Sequence, residues 1–316
     1  MRVPFRYDAS RDSDDDLYDY YDAYDDPPVA PAGRRTRVEP PAGFEDAVAE
    51  EEEDADPDGP PEGDRWSTWD GASHGPKPWP DWLVTDLGAV DHELGVLKTG
   101  KEADVFLIRR EVPGGRSCLL AAKRYRTAEH RSFRRDAGYL EGRRVKESRQ
   151  SRAMARRTAY GRELIAGQWA GAEFGVLGSL WKAGLAVPYP VSLDYTEVLQ
   201  EFIGSPSGEA APRLAQVRPS GALLRTLWDQ LLDAMSLMAR MGLTHGDLSA
   251  YNLLVDGERL VMIDLPQAVD IVGNPQGVEF LHRDVVNVCE WFAARGLTAA
   301  DPEAVLDLLR SEAHLT

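Results

Sequence analysis

The residues best placed to do chemistry form one run, His245-Gly246-Asp247-Leu248-Ser249-Ala250-Tyr251-Asn252, followed by Val261-Met262-Ile263-Asp264. Between them, Leu253 to Ile263 reads as a hairpin turning at Asp256-Gly257, a dipeptide suited to a tight two-residue turn. A tight hairpin brings the chain back to its starting point, so Asp247 and Asn252 before it can meet Asp264 after it. Two carboxylates and an amide at one spot are hard oxygen donors suited to Mg²⁺, which normally also takes oxygens from substrate phosphates. Each residue alone is as well explained by a cap or a turn. The set at this spacing is not.

Lys123 ends an apolar strand pattern, Leu119-Leu120-Ala121-Ala122. Glu173 lies on the same helical stripe as Trp169, Val176 and Leu177. A carboxylate on an apolar face is costly unless paired. Lys123 is its natural partner, and the pair would aim an ammonium at a phosphate. Thr99-Gly100-Lys101-Glu102-Ala103-Asp104 lies between two strand patterns, where a glycine turn exposes backbone N–H groups that can cover phosphates. It lacks GxGxxG and is informative only beside the other two signals. His245 is expected to brace the loop rather than to move protons.

These residues must be positioned by two kinds of element. Leu94–Lys98, Ala103–Arg110 and Cys118–Lys123 read as strands, with a turn at Pro113-Gly114-Gly115. Helices are expected over 167–183, 222–241, 277–295 and 302–311, the last with Asp301 as N-cap and Pro302 at its first position. Val187–Pro190 reads as an extended connection and Leu193–Ile203 as further strands. The class is α+β in two lobes.

The chain has 316 residues and a formal net charge of −17. Residues 1–64 hold 21 acidic and 6 basic residues, a net of −15, on a nearly neutral body. This segment is expected to be a disordered acidic tail, either solubilising or a docking or phosphorylation segment. Residues 65–80 read as a Trp/Pro-rich linker that packs on the body, and 81–316 as the folded domain. Its N-lobe is expected over about 81–203 and its C-lobe over about 204–316. Residues 123–157 hold 13 Lys and Arg against 4 acids. That stretch reads as a solvated helix face, a contact for RNA phosphates, or a dock for the acidic tail. Cys118 and Cys289 lie in no ligand cluster and read as buried thiols. No apolar run suits a membrane span or a signal peptide, so the expectation is a soluble, cytoplasmic chain.

Together these parts are those of a kinase-like phosphoryl-transfer site. In detail the chain resembles the RIO family of atypical serine/threonine protein kinases. Lys98-Thr99-Gly100-Lys101-Glu102-Ala103 is similar to the family's STGKEA, and His245 to Asn252 to its H-x-D-L-S-x-Y-N. Ile263-Asp264-Leu265-Pro266-Gln267 is similar to its I-D-x-x-Q. Glu279-Phe280-Leu281 and Asp284 through Asn287 resemble the first RIO branch. The resemblance runs from about Asp81 to about Arg295.

It implies a two-lobed kinase-like fold with a small β-rich N-lobe and a truncated helical C-lobe, using ATP with Mg²⁺ (or Mn²⁺). It implies that Lys123 contacts the α- and β-phosphates and Glu173 positions it. Asp247 would orient or deprotonate the acceptor, and Asn252 and Asp264 would hold the metal. Thr99, Gly100, Lys101 and Glu102 would cover the triphosphate, and backbone groups of Glu201 and Ile203 would meet adenine. The family also brings in an aspartyl-phosphate at Asp264 and ATP hydrolysis as a switch. Gly246 stands where ordinary kinases carry the arginine of H-R-D, Ser249 where they carry lysine, and no A-P-E follows Asp264. Two other readings remain: a small-molecule kinase of the aminoglycoside type, which shares H-G-D-x-x-x-x-N, and an ATP-dependent assembly factor for ribosomes or RNA with little turnover.

Overall fold

The computed structural model describes residues 60, 63–126, 159–266 and 268–315. Most of the expected acidic tail, the basic stretch beyond residue 126, and Gln267 lie outside the described residues.

Seven strands form one antiparallel sheet. They are β1 (Arg65–Trp66), β2 (Ser73–His74), β3 (Val90–Thr99), β4 (Ala103–Glu111), β5 (Ser117–Tyr125), β6 (Pro190–Asp194) and β7 (Glu197–Glu201), in the order β1-β3-β4-β5-β7-β6-β2. The two outermost strands are joined only by residues 67–72, which span at most about 25 Å when fully extended. A flat sheet of this order would hold its edges about 29 Å apart. The sheet is therefore curled, and the 65–74 segment ties its two edges together. The segment expected as a linker is thus woven into the sheet. Trp69 is buried, stacks on His74 and meets Trp79 edge-on.

β5 is covered on both faces. Leu120 and Ala122 join a cluster with Trp69, Leu83, Ile108 and Tyr189. On the other face, which it shares with Lys123, Tyr125 packs with Ala166 and Ala170 of α1 (Ala159–Lys182). These alanines let the helix lie close to the sheet. α1 starts eight residues before the sequence pattern suggests. Its apolar residues serve two cores: Ala166 and Ala170 face the sheet, whereas Leu177 and Leu180 join the helical lobe. No single stripe therefore marks its full length.

The helical lobe is built on α2 (Gly221–Arg240), α3 (Gly277–Ala293) and α4 (Pro302–Glu312). Ser220 caps α2 by accepting from Leu223 N–H, and Asp301 caps α4 by accepting from Glu303 N–H, with Pro302 at the first turn. Leu227, Leu231, Val285, Phe292 and Leu309 are fully buried at their junction. A short strand β8 (Leu243–Thr244) pairs with β11 (Val269–Asp270). The expected hairpin is β9 (Leu253–Asp256) and β10 (Arg259–Met262), with Gly257 at φ +63° in its turn. Among the described residues, no helix is long and apolar enough to cross a membrane.

Candidate active site

Lys123 enters the site from β5, opposite Val105 of β4. Its Nζ donates to Glu173 Oε1 at 2.8 Å and to Asp264 Oδ1 at 2.7 Å. Glu173 is 1 % exposed, so this is the pairing its place on an apolar face demanded. Burial alone would pull the Lys123 ammonium down; Asp264 and Glu173 outweigh it and hold it well above the ordinary lysine value. In return the Lys123 ammonium, with a smaller contribution from Lys98, holds the Asp264 carboxyl well below the usual carboxylate range. Asp264 itself adopts φ +65°, a left-handed conformation unusual for a residue other than glycine.

The hairpin delivers Asp264 as the spacing suggested. Ile263 N–H donates to Asn252 O at 3.0 Å, so the residues before and after the hairpin lie side by side. Asn252 is buried, and its Nδ2 donates to Asp247 O at 2.8 Å, which leaves its Oδ1 as the acceptor end. His245 spans the same junction: Nε2 bonds Ile263 O at 3.0 Å, and Nδ1 accepts a long contact from Asp247 N–H at 3.4 Å. That is a brace. Burial pushes the Asp247 carboxyl above its ordinary value, against the opposing fields of His245 and Arg283.

The phosphate-loop candidate is a tight turn closed by Gly100 N–H to Ala103 O at 3.0 Å. A Cβ at Gly100 would sit 2.7 Å from that carbonyl oxygen, so only glycine fits. Thr99, Lys101 and Glu102 lie in the same turn, and Glu102 O accepts from Arg126 N–H at 2.9 Å. Arg126 also forks onto Asp104 at 2.8 and 2.6 Å. At the expected hinge, backbone groups of both residues are engaged within the chain. Glu201 N–H donates to Tyr189 O at 2.8 Å, and Ile203 O accepts from Ala211 N–H at 3.0 Å.

The structure thus gathers Lys123, Glu173, Asp264, Asn252 and Asp247, with the loop 99–102 at the end of the strand pair that carries Lys123. The sequence assigned several contributors no role at the site. Tyr125 donates its hydroxyl to Glu173 Oε2. Asp284 is fully buried on α3 and accepts from Thr244 Oγ1, Gly246 N–H and Leu248 N–H at 2.7, 2.7 and 2.8 Å. Arg283 donates to Gly246 O, and Asn287 Nδ2 to Leu248 O at 3.2 Å. The signal for Asp284 was available: it is a carboxylate on the stripe Leu281, Val285, Val288, as Glu173 is on its own.

A sheet that supplies a lysine and a helical lobe that supplies the acids divide the work as the protein-kinase-like class does. A family model described as the RIO domain matches residues 111–305. The chain is 35 % identical over 217 residues to the RIO-type serine/threonine-protein kinase Rio1 of Haloferax volcanii, covering 69 % of this chain and 68 % of that protein. It is 33 % identical over 220 residues to the serine/threonine-protein kinase RIO1 of Chaetomium thermophilum, covering 67 % of this chain but only 41 % of that longer protein. A solved Rio2 kinase–ADP/Mg²⁺–phosphoaspartate complex from Chaetomium thermophilum matches at a TM-score of 0.47 and 19 % identity, over 71 % of this chain and 67 % of that one. The chain belongs to the RIO family.

Proposed function

We propose that the chain transfers the γ-phosphoryl group of ATP to a serine or threonine hydroxyl of a protein, its own chain included, or, when it works as an ATPase switch, to the Asp264 carboxylate, from which water then releases phosphate. The observation that carries this is the Lys123 ammonium held between Glu173 at 2.8 Å and Asp264 at 2.7 Å, at the place where a polyphosphate would meet it. The relatives' names, which describe serine/threonine-protein kinases, support it. The aminoglycoside-type reading loses its ground with the family match.

The acceptor oxygen attacks the γ-phosphorus, the bond to the β,γ-bridging oxygen breaks, and ADP leaves. Asp247 orients the hydroxyl and takes its proton; a carboxyl raised by burial is the better base for this. Lys123 neutralises charge on the α- and β-phosphates, and the turn at Thr99–Glu102 covers them. Among the described residues no three His, Cys, Asp or Glu side chains gather into a metal cage. Asn252 Oδ1 and the Asp264 carboxylate are two oxygen donors, and that fits Mg²⁺ (or Mn²⁺) carried in on phosphates rather than a closed protein site. When bound, the cation supplies positive charge to the transferring phosphoryl group.

The partner reading is narrower than the sequence charge implied. Of the first three cations of the basic stretch, Lys123 belongs to the proposed nucleotide site, and Arg124 and Arg126 are held in internal ion pairs. Contact with RNA or ribosomal phosphates rests on the cations beyond residue 126. A cytoplasmic setting is supported by two free, buried thiols, Cys118 and Cys289.

Incubation with Mg²⁺ and γ-labelled ATP tests the proposal, beside Asp247→Asn and Asp264→Asn. Stable label on serine or threonine, lost in both variants, is the expected result. Alkali-labile label with free phosphate assigns the ATPase switch, and no turnover in any acceptor mixture rejects phosphoryl transfer.

A further inference from the structure

We infer that Tyr125 is a positioning residue for nucleotide binding: through the Glu173 carboxylate it sets where the Lys123 ammonium points. The inference rests on the phosphate-binding role proposed for Lys123. Tyr125 follows Lys123 by two residues on β5, so both side chains leave the same face of the strand, toward α1. Glu173 meets them there with one oxygen each: Oε1 accepts from Lys123 Nζ at 2.8 Å, and Oε2 accepts from the Tyr125 hydroxyl. Glu173 is 1 % exposed and Tyr125 5 % exposed, so water does not substitute for either partner.

The division of oxygens has a consequence. A carboxylate with both oxygens free draws an ammonium onto the line between them. With Oε2 occupied by the phenol, Lys123 is confined to Oε1 and keeps a second N–H directed outward, where it reaches Asp264 Oδ1 at 2.7 Å. The Tyr125 ring also flanks the ammonium, with Nζ 5.4 Å from its centroid. Burial, with the negative charge of Glu173, holds the phenol well above its ordinary value, so it remains a donor at neutral pH. Without the hydroxyl, Oε2 becomes a buried acceptor without that donor, and it recruits Lys123 away from the phosphates.

The test is a double-mutant cycle read by equilibrium binding of a fluorescent ATP analogue and by the KM for ATP, on the full chain. Tyr125→Phe keeps the ring that packs with Ala166, Ala170 and Val198, and circular dichroism checks its fold. It is expected to weaken nucleotide binding about tenfold, leave the KM for the protein acceptor unchanged, and have no further effect once Glu173→Gln is present. An equal effect in both backgrounds makes Tyr125 a packing residue and overturns the inference, as does unchanged nucleotide affinity in Tyr125→Phe. A Lys123→Ala control separates the two levels. If it binds nucleotide as tightly as wild type, the phosphate-binding role itself fails; if it loses binding while Tyr125→Phe does not, only the role of Tyr125 fails.

Discussion

Asp284 fixes Asp247 through the backbone on either side of it. Its Oδ2 accepts from Gly246 N–H at 2.7 Å and its Oδ1 from Leu248 N–H at 2.8 Å, so one buried carboxylate straddles the residue proposed to face the acceptor. Arg283 and Asn287 complete the grip from the same helix by donating to the carbonyls of Gly246 and Leu248. Gly246, at φ +84°, lets the chain turn back between these contacts. The position that carries arginine in ordinary kinases is thus glycine, and a guanidinium reaches it from α3 instead.

Asp284→Asn replaces two accepting oxygens by one and turns the other end into a donor that faces an N–H. Each buried group left unpaired costs about 1–3 kcal/mol, so a loss of about 3 kcal/mol in unfolding free energy is expected. Turnover should fall with it, because the backbone around Asp247 loses its anchor. Urea denaturation beside initial rates checks both, and a variant with wild-type stability and rate would show that α3 does not hold the loop.

Asp247→Asn separates chemistry from stability. The amide cannot accept the acceptor's proton, so kcat should drop on the order of 10²–10⁴-fold. Stability should move the other way. Burial raises the Asp247 carboxyl above its unfolded value, so the folded chain holds its proton more tightly than the unfolded one. The ionised form then opposes folding at neutral pH, and that penalty fades as pH falls through the folded value. Removing the charge should raise the melting temperature at pH 7 and change it little near pH 4. A lower melting temperature at pH 7 would contradict this electrostatic account.

The sequence exposed what local chemistry dictates. The Asp256-Gly257 turn, the cap at Asp301, and Glu173 stranded on an apolar face each follow from residue type and spacing alone. Lys123 followed from Glu173 because a buried carboxylate needs a cation. What stayed hidden depends on distant pairing. β1 and β2 are two residues long and have no period to detect; they exist because the sheet curls until residues 65–74 can reach both edges. Tyr125 fell past the end of the expected strand, and its hydroxyl matters only once α1 brings Glu173 opposite it. The hinge bonds of Glu201 and Ile203 involve Tyr189 and Ala211, which no local pattern links to them.

Beneath the sheet's outer layer lies an ion pair with no surface exposure to speak of. Arg110 (0 % exposed) forks onto Asp91 (1 %) at 2.7 and 3.0 Å, linking β4 to β3. Removing one partner strands the other charge in the interior, so Asp91→Ala should cost about 3–5 kcal/mol. The double replacement Asp91→Leu with Arg110→Met should recover much of that loss, because neither charge is then left alone. Equal destabilisation by the single and double variants, measured by denaturant unfolding, would show that packing and not charge governs the position.

The Lys123–Asp264 contact should be visible in the pH dependence of stability. The Lys123 ammonium depresses the Asp264 carboxyl well below its ordinary value of 3.8. Above about pH 5 the carboxylate is ionised in both folded and unfolded chains, and its full contribution to stability is present. As pH falls through about 4, the unfolded chain takes up the proton first, and stability declines until the folded value is passed. Lys123 acts at the other end: its folded value lies well above 10.5, so its share persists through neutral pH and is lost only as pH rises past that folded value. Asp264→Asn carries no such dependence. Its stability deficit relative to wild type should therefore be largest between about pH 5 and 10 and should narrow steadily as pH falls below about 4. Asp264 is about a third exposed (35 %), so solvent screens the pair, and the deficit should also shrink in high salt. Denaturant titrations of both proteins across this range decide the matter: a deficit that stays constant as pH falls would mean that Asp264 is held by its backbone conformation at φ +65° and not by the lysine.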